Sequence, residues 1–271
     1  MTLPITPQVF AILSSYIEEH TGIHYDLDEM GLLADKISAR ATEAQFESLL
    51  DYYYFLRYDA AGPAELDSLI DAVVVNETYF FRETEQLKAL LDIVLQPLLK
   101  TGARPRIWCA AAATGEEPLT LAMMLDERGL LPRVEIVASD ISVRALARAR
   151  EGQYGARSMR SLPAGVEGRW LAVEGARAEV RADLRRAVDW RRVNLVDPPA
   201  VAALGVFDAI ICRNVLIYFD ERTTRGVVGR LGDALRPGGH LLVGASESLL
   251  RFGTRLSCEE RGGAFFYRKV A

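Results

Sequence analysis

Apolar residues return every three or four positions through the first part of the chain. Val9, Phe10, Ile12, Leu13, Tyr16 and Ile17 form one such stripe, opened by Thr6 and Pro7 as N-cap and first-turn proline and stopped at Gly22. The same spacing recurs at Met30, Leu33 and Ile37, at Phe46, Leu49, Leu50 and Tyr53, and at Leu66, Leu69, Ile70 and Val73. AAGP at 60–63 marks a break between the last two. The spacing predicts a small four-helix N-terminal domain over residues 1–75.

Beyond Arg82 the period changes. RIWCA (106–110), VEIVAS (134–139), FDAIICR (207–213) and HLLVG (240–244) are short β-rich runs, with helices expected from about Glu116, Ser142 and Glu221. Such alternation predicts an α/β domain over 76–271, a mostly parallel sheet with helices on both faces. The stretch from about 155 to 193 breaks the rhythm and reads as an inserted subdomain of small strands and a helix. GGAFFYRK (262–269) is expected to add a last, antiparallel edge strand, and RPGG (236–239) reads as a plain turn. Between the two domains lies VNETYFFRET (75–84), more polar and more aromatic than a plain linker requires.

Composition narrows the class without naming a function. Half of the 271 residues are hydrophobic and a quarter charged, which suits a soluble globular protein. No run approaches the roughly 18 apolar residues of a membrane span, and MTLPITPQVF lacks the basic start and apolar core of a signal peptide, so the expected location is cytoplasmic. Cys109, Cys212 and Cys258 have no metal-ligand spacing and read as free thiols, and His20, His24 and His240 are too scattered for a zinc site; no metal is expected.

The net charge of −5 is unevenly spread. Residues 1–75 hold 13 acidic side chains against Lys36, Arg40 and Arg57, a net of −10, which leaves +5 for the remainder. An acidic unit of this kind is a poor nucleic-acid binder.

Ligands of a doubly wound sheet sit beyond the carboxyl ends of its strands, and three such places stand out. AAATGEEP (111–118) follows the first strand; it has one glycine where a dinucleotide fingerprint wants three, and it opens its helix with Glu116 and Glu117. Carboxylates there would repel a pyrophosphate and suit a neutral or cationic ligand, although both are also good first-turn residues. Asp140 follows the second strand, where it is placed either to accept ribose hydroxyls or to cap the next helix. With a glycine-poor first loop it points to an adenosine without a diphosphate. Arg213 and Asn214 end the third strand, and a buried arginine asks for a partner. Tyr218 follows one short turn later.

Taken in order, NETYFFRE (76–83), ATGEEP (113–118), SDIS (139–142), VNL (193–195), CRNVLIYF (212–219), RPGG (236–239) and GASESL (244–249) resemble the CheR-type chemoreceptor protein-glutamate O-methyltransferases. The resemblance implies a class I methyltransferase (Rossmann-like) sheet with a small all-α N-terminal domain and an inserted β-subdomain. It implies S-adenosylmethionine as cofactor and S-adenosylhomocysteine as product, with Asn76, Thr78, Arg82, Glu117, Asp140, Asn194, Leu195, Arg213 and Asn214 at or beside the cofactor. Arg82 and Tyr218 match the positions associated with methyl transfer, and the substrate implied is the cytosolic helical domain of a chemoreceptor.

The chain departs from the family pattern in places. Its N-terminal domain is acidic where relatives tend to present a basic helix, so docking is expected to fall on the stretch 141–192, with 12 arginines and 6 acids. RWLAVEGARAEVRADL (169–184) is shorter and poorer in glycine than inserts that grip a receptor-tail pentapeptide, and no such tether is expected. Ala245 replaces a common histidine, leaving Ser246, Glu247 and Ser248 without an assigned role. The competing readings are a cofactor-binding scaffold or sensor and a methyltransferase for another signalling protein. A nicotinamide oxidoreductase fails on the missing glycine fingerprint.

Overall fold

The computed structural model describes residues Thr2 to Val270. Its first part packs α1 (Pro7–Thr21), α2 (Met30–Glu43), α3 (Leu49–Tyr58) and α4 (Gly62–Val73) around Leu13, Ile17, Leu33, Ile37, Tyr52, Leu69 and Val73. Local chemistry sets the ends of α1. The Thr6 hydroxyl accepts from Val9 N–H, Pro7 sits in the first turn, and Gly22 closes the helix in the left-handed region at φ 78°. Gly22 is also a contact point. A Cβ there would lie 2.6 Å from Val196 Cγ1, so the helix end can dock on the second domain only through glycine.

A helical stretch, α5 (Thr84–Ala89), a π-helical turn (Leu90–Leu95) and α6 (Gln96–Lys100), leads to the sheet. The strands are β1 (Arg106–Ala110), β2 (Glu135–Asp140), β3 (Gln153–Gly155), β4 (Leu171–Glu174), β5 (Arg177–Val180), β6 (Val188–Arg192), β7 (Phe207–Cys212), β8 (Leu235–Val243), β9 (Leu256–Arg261) and β10 (Ala264–Lys269). Seven of them form one sheet in the order β6-β2-β1-β7-β8-β10-β9, parallel as far as β8, with β10 antiparallel to its two neighbours. Alternation along β1 feeds both faces. Ile107 and Cys109 join the core that includes α7 (Glu116–Glu127), while Trp108 and Ala110 join the core that includes α11 (Glu221–Asp233). The remaining helices are α8 (Val143–Glu151), α9 (Ala182–Arg186) and α10 (Pro198–Ala202).

β3, β5 and β4 make a separate antiparallel sheet, and α9 follows it. The structure differs from the sequence reading at three points. β6, counted with the insert, is an edge strand of the main sheet; its VDWRR composition is polar because it pairs on one flank only. RPGG is not a free turn but lies inside β8, where the pairing with β7 shifts register and Gly238 takes φ 79°. GGAFFYRK contributes an interior antiparallel strand, and the outer edge belongs to β9.

The domains are joined by charge as well as by chain. Ser142 Oγ donates to Asp71 Oδ1 at 2.6 Å, and Arg192 forms an ion pair with Asp67. Asp67 and Asp71 belong to the acidic helical domain, and part of its charge is thereby turned inward onto the arginine-rich side of the second domain.

Candidate active site

The carboxyl ends of β1, β2 and β7, the segment after β6, the linker and the end of α1 enclose one cleft of about 920 Å³, its open mouth included. Asn76, Thr78, Arg82, Glu117, Asp140, Asn194, Leu195, Arg213, Asn214 and Tyr218 all line it, with Thr21 and Ile23 from the helical domain.

The loop after β1 is bent sharply to bring backbone to the cleft. Ala111, Ala113 and Gly115 have φ of 54°, 47° and 92°. Two alanines in the left-handed region are strained, a condition concentrated at ligand sites. Ala112 N–H donates to Ser139 O and Ala113 N–H to Asp140 Oδ2, both at 2.8 Å, which holds the bend. A Cβ on Gly115 would lie 2.7 Å from Ala149 Cβ and 2.8 Å from the Trp190 ring, so this glycine answers to packing as well as to conformation.

Asp140 does not cap α8. That task falls to Ser142, whose hydroxyl accepts from Ala145 N–H, while Asp140 Oδ1 accepts from Ser142 N–H at 2.9 Å. Its carboxylate is thus fixed by two backbone donors at the cleft wall. Burial raises its pKa, and the donors of Ser142 and Ala113 oppose the rise.

The two glutamates of α7 separate by role. Glu116 faces inward and accepts from Thr114 Oγ1 at 2.6 Å and Ser158 Oγ at 2.7 Å, pinning the insert to the helix. Glu117 faces the cleft and pairs with Arg213 Nη1 at 2.8 Å. Burial pushes Glu117 up, and the Arg213 cation opposes it.

Arg213 is a strut. Its other end donates to Glu83 Oε2 at 2.8 Å and to the Arg82 carbonyl at 3.1 Å, and its side chain is 1% exposed. The guanidinium therefore ties β7, α7 and the linker together. Asn214 follows at φ 59°.

Glu247, left without a role by the sequence reading, organises this corner. Its Oε2 accepts from Asn214 and Gly244 N–H at 2.6 and 2.8 Å, and its Oε1 from Val215 and Leu216 N–H at 2.9 and 2.8 Å. One carboxylate thus satisfies four donors in the turns after β7 and β8. The available signal was an acid three residues after the glycine that follows a strand, in a turn where free N–H groups accumulate. A Cβ on Gly244 would lie 2.7 Å from that carboxylate.

Tyr218 ends a short 3-10 turn (Leu216–Tyr218), and its carbonyl accepts from His24 N–H at 2.9 Å. Burial pushes the phenol up against the pull of the Arg82 cation, so the hydroxyl stays protonated. Asn194 joins the domains by donating from Nδ2 to His20 O at 2.7 Å. In the linker, Phe80 is fully buried and meets Tyr154 edge-on at 4.8 Å, and Phe81 N–H donates to Thr120 Oγ1 at 3.1 Å. Arg82, between these anchors and Tyr218, is partly exposed, with Nη1 on the Glu77 carbonyl at 3.2 Å.

A mostly parallel seven-stranded sheet with this cleft, behind an all-α domain, is a class I methyltransferase fold. The family model "CheR methyltransferase, SAM binding domain" matches residues 76–262, and "CheR methyltransferase, all-alpha domain" matches residues 8–74. The chain belongs to the CheR methyltransferase family, and its cofactor is S-adenosylmethionine. It is 34% identical over 258 residues to Chemotaxis protein methyltransferase 2 of Vibrio cholerae, covering 92% of this chain and 88% of that one. A Chemotaxis protein methyltransferase of Vibrio parahaemolyticus is 37% identical over 260 residues, covering 91% of each. The Probable biofilm formation methyltransferase WspC of Pseudomonas aeruginosa is 37% identical over 200 residues, covering 73% of this chain and 47% of that one.

The donor set suits this cofactor. Glu117 and Asp140 give the walls a negative character that favours a sulfonium and an ammonium over a phosphate, and the strained alanine loop admits close approach of a ligand. Among the described residues no group of three or more His, Cys, Asp or Glu is arranged for a metal, and no helix is long and apolar enough to cross a membrane.

Proposed function

We propose that the protein methylates glutamate side chains on the cytosolic helical domain of a chemoreceptor, leaving glutamyl methyl esters and S-adenosylhomocysteine. The observation that carries this reading is the meeting of Arg82 and Tyr218 with Glu117, Asp140 and the Asn76–Thr78 linker around one cleft, in a chain of this family. In this reading Asp140 accepts from the ribose hydroxyls, and Asn76, Thr78, Glu117, Asn194, Leu195 and Asn214 enclose the rest of the cofactor. Arg213 acts through Glu117 and the linker, as a positioning residue.

The bound cofactor supplies an electrophilic methyl group on a sulfonium. A glutamate side chain is ionised near neutral pH, so no base is required: a carboxylate oxygen forms the new C–O bond as the C–S bond breaks, and the electron pair leaves with sulfur. The chain's task is alignment. Arg82 steers the carboxylate by paired N–H donors. Tyr218, held protonated, donates to the same carboxylate.

The test is transfer of labelled methyl to receptor-containing membranes, followed by release of base-labile methanol. Arg82→Ala is expected to lower turnover roughly a hundredfold through lost positioning, with a smaller loss of cofactor affinity. Equal losses of both would assign Arg82 to the cofactor alone, and cofactor binding without transfer to any receptor would favour a scaffold. The biofilm-formation relative supports a second reading, methylation of a signalling protein other than a chemoreceptor; labelled transfer to soluble extract but not to chemoreceptor-containing membranes would favour it.

A further inference from the structure

The cleft has an outer rim of charge that the alignment of cofactor and acceptor does not use. The loop 156–162 between β3 and β4 crosses the linker, held there because Phe80 N–H donates to Ser158 O at 2.9 Å and Ser158 Oγ to Glu116 at 2.7 Å. Arg157 and Arg160 flank that anchor. The Arg160 guanidinium lies 3.8 Å from the Tyr79 ring centroid and donates to Glu77 Oε1 at 2.7 Å, and Arg157 approaches Glu77 Oε2 at 3.7 Å. Arg82 sits 5.8 Å from the same ring and holds the Glu77 carbonyl. One carboxylate therefore occupies two guanidiniums directly beside the methyl-transfer residue, and Glu77 is itself part of the cleft wall.

All three groups are open to solvent: Glu77 is 44% exposed, Arg160 38% and Arg157 82% in their side chains. Exposed pairs exchange partners at little cost. Tyr79 orients the Arg160 plane by stacking, which keeps its N–H fork ordered when the partner changes.

We propose that Glu77 is a placeholder for the substrate. An acidic side chain next to the glutamate to be methylated displaces it and takes the Arg157–Arg160 pair, so this rim selects a segment carrying two neighbouring carboxylates. Charge complementarity favours an acidic protein segment as occupant: the helical domain, at −10, repels it, while this side of the molecule is rich in arginine. The inference rests on the glutamate-methylation reading and deepens it.

The probe is a fluorescein-labelled helical peptide with two glutamates one turn apart, against the same peptide with the second glutamate replaced by glutamine. Binding to the full-length protein loaded with S-adenosylhomocysteine is followed by anisotropy at low salt. The double variant R157A/R160A is expected to lose about tenfold in affinity for the two-glutamate peptide and to bind the control as before. Glu77→Gln is expected to bind the two-glutamate peptide several-fold more tightly, because a competing charge is gone. Calorimetry with S-adenosylhomocysteine confirms that the double variant is folded. Equal affinity of wild type and double variant for both peptides, or weaker binding by Glu77→Gln, overturns the proposal; so does rim-dependent binding to anionic lipid vesicles with no preference between peptides. Receptor glutamate methylation with an unchanged acceptor KM in the double variant sinks the rim and leaves the function standing. No methylation by the wild type sinks the function itself.

Discussion

Two arginine–glutamate clusters border the cleft, and they are built for opposite purposes. At the inner end Arg213 is sealed between Glu83 and Glu117 and spans three elements of the fold. At the outer rim Arg157 and Arg160 share Glu77 in water. The chemistry of the pairs is the same, and the dielectric around them is not. A buried pair cannot change partners without exposing an uncompensated charge, so it holds shape. An exposed pair holds little and exchanges freely, so it is suited to recognition.

The comparison breaks first at Arg213. Arg213→Ala strips Glu117 of its paired cation and leaves only Arg82, 3.9 Å from Glu83, to offset the two carboxylates. It should cost about 3–5 kcal/mol in denaturant unfolding, and a loss under about 1 kcal/mol would make the inner cluster no more structural than the rim. The pH dependence has a definite sign. Glu117 already lies above the usual carboxylate range because of burial, and removing the cation that opposes this raises it further. The folded state then holds a proton that the unfolded chain has released, so the variant's deficit against wild type should shrink as pH falls towards 5 and widen as pH rises.

Glu247→Gln is next in size. The amide keeps one acceptor but turns a donor towards backbone N–H groups, and an expected loss of about 1–3 kcal/mol should come with weaker cofactor binding by calorimetry. Unchanged affinity would separate the turn after β7 from the cofactor. At the rim, R157A/R160A should shift unfolding by about 0.5 kcal/mol or less, and a larger effect would give the outer cluster a structural role. The smallest expected change is none. With Tyr218 held above its ordinary value, transfer should be flat from about pH 6 to 9, and a fall beginning near pH 8 would show the phenol ionising.

The sequence made the centre of the molecule legible and its margins obscure. RIWCA, VEIVAS and FDAIICR are buried on both faces, so their apolar runs announce strands, and the residues just beyond them border the cleft because parallel strands end together. VDWRR and LSCEER, the edge strands, are partly exposed and carry no clear apolar run, so the first reads as part of the insert and the second draws no assignment. Glu247 escaped because its partners are backbone N–H groups, which have no letter in a sequence. The pairing of Glu77 with Arg157 and Arg160, some 80 residues away in the chain, depends on where the insert folds back.

Thr21 and Ile23 form part of the cleft wall, Gly22 between them fits only against Val196, and Ile23 bridges to Phe219. The helical domain is therefore not an interchangeable module. A chimera that kept the catalytic half and borrowed a helical domain from a relative would need to import this three-residue seam with it, or its binding chamber would be missing a side.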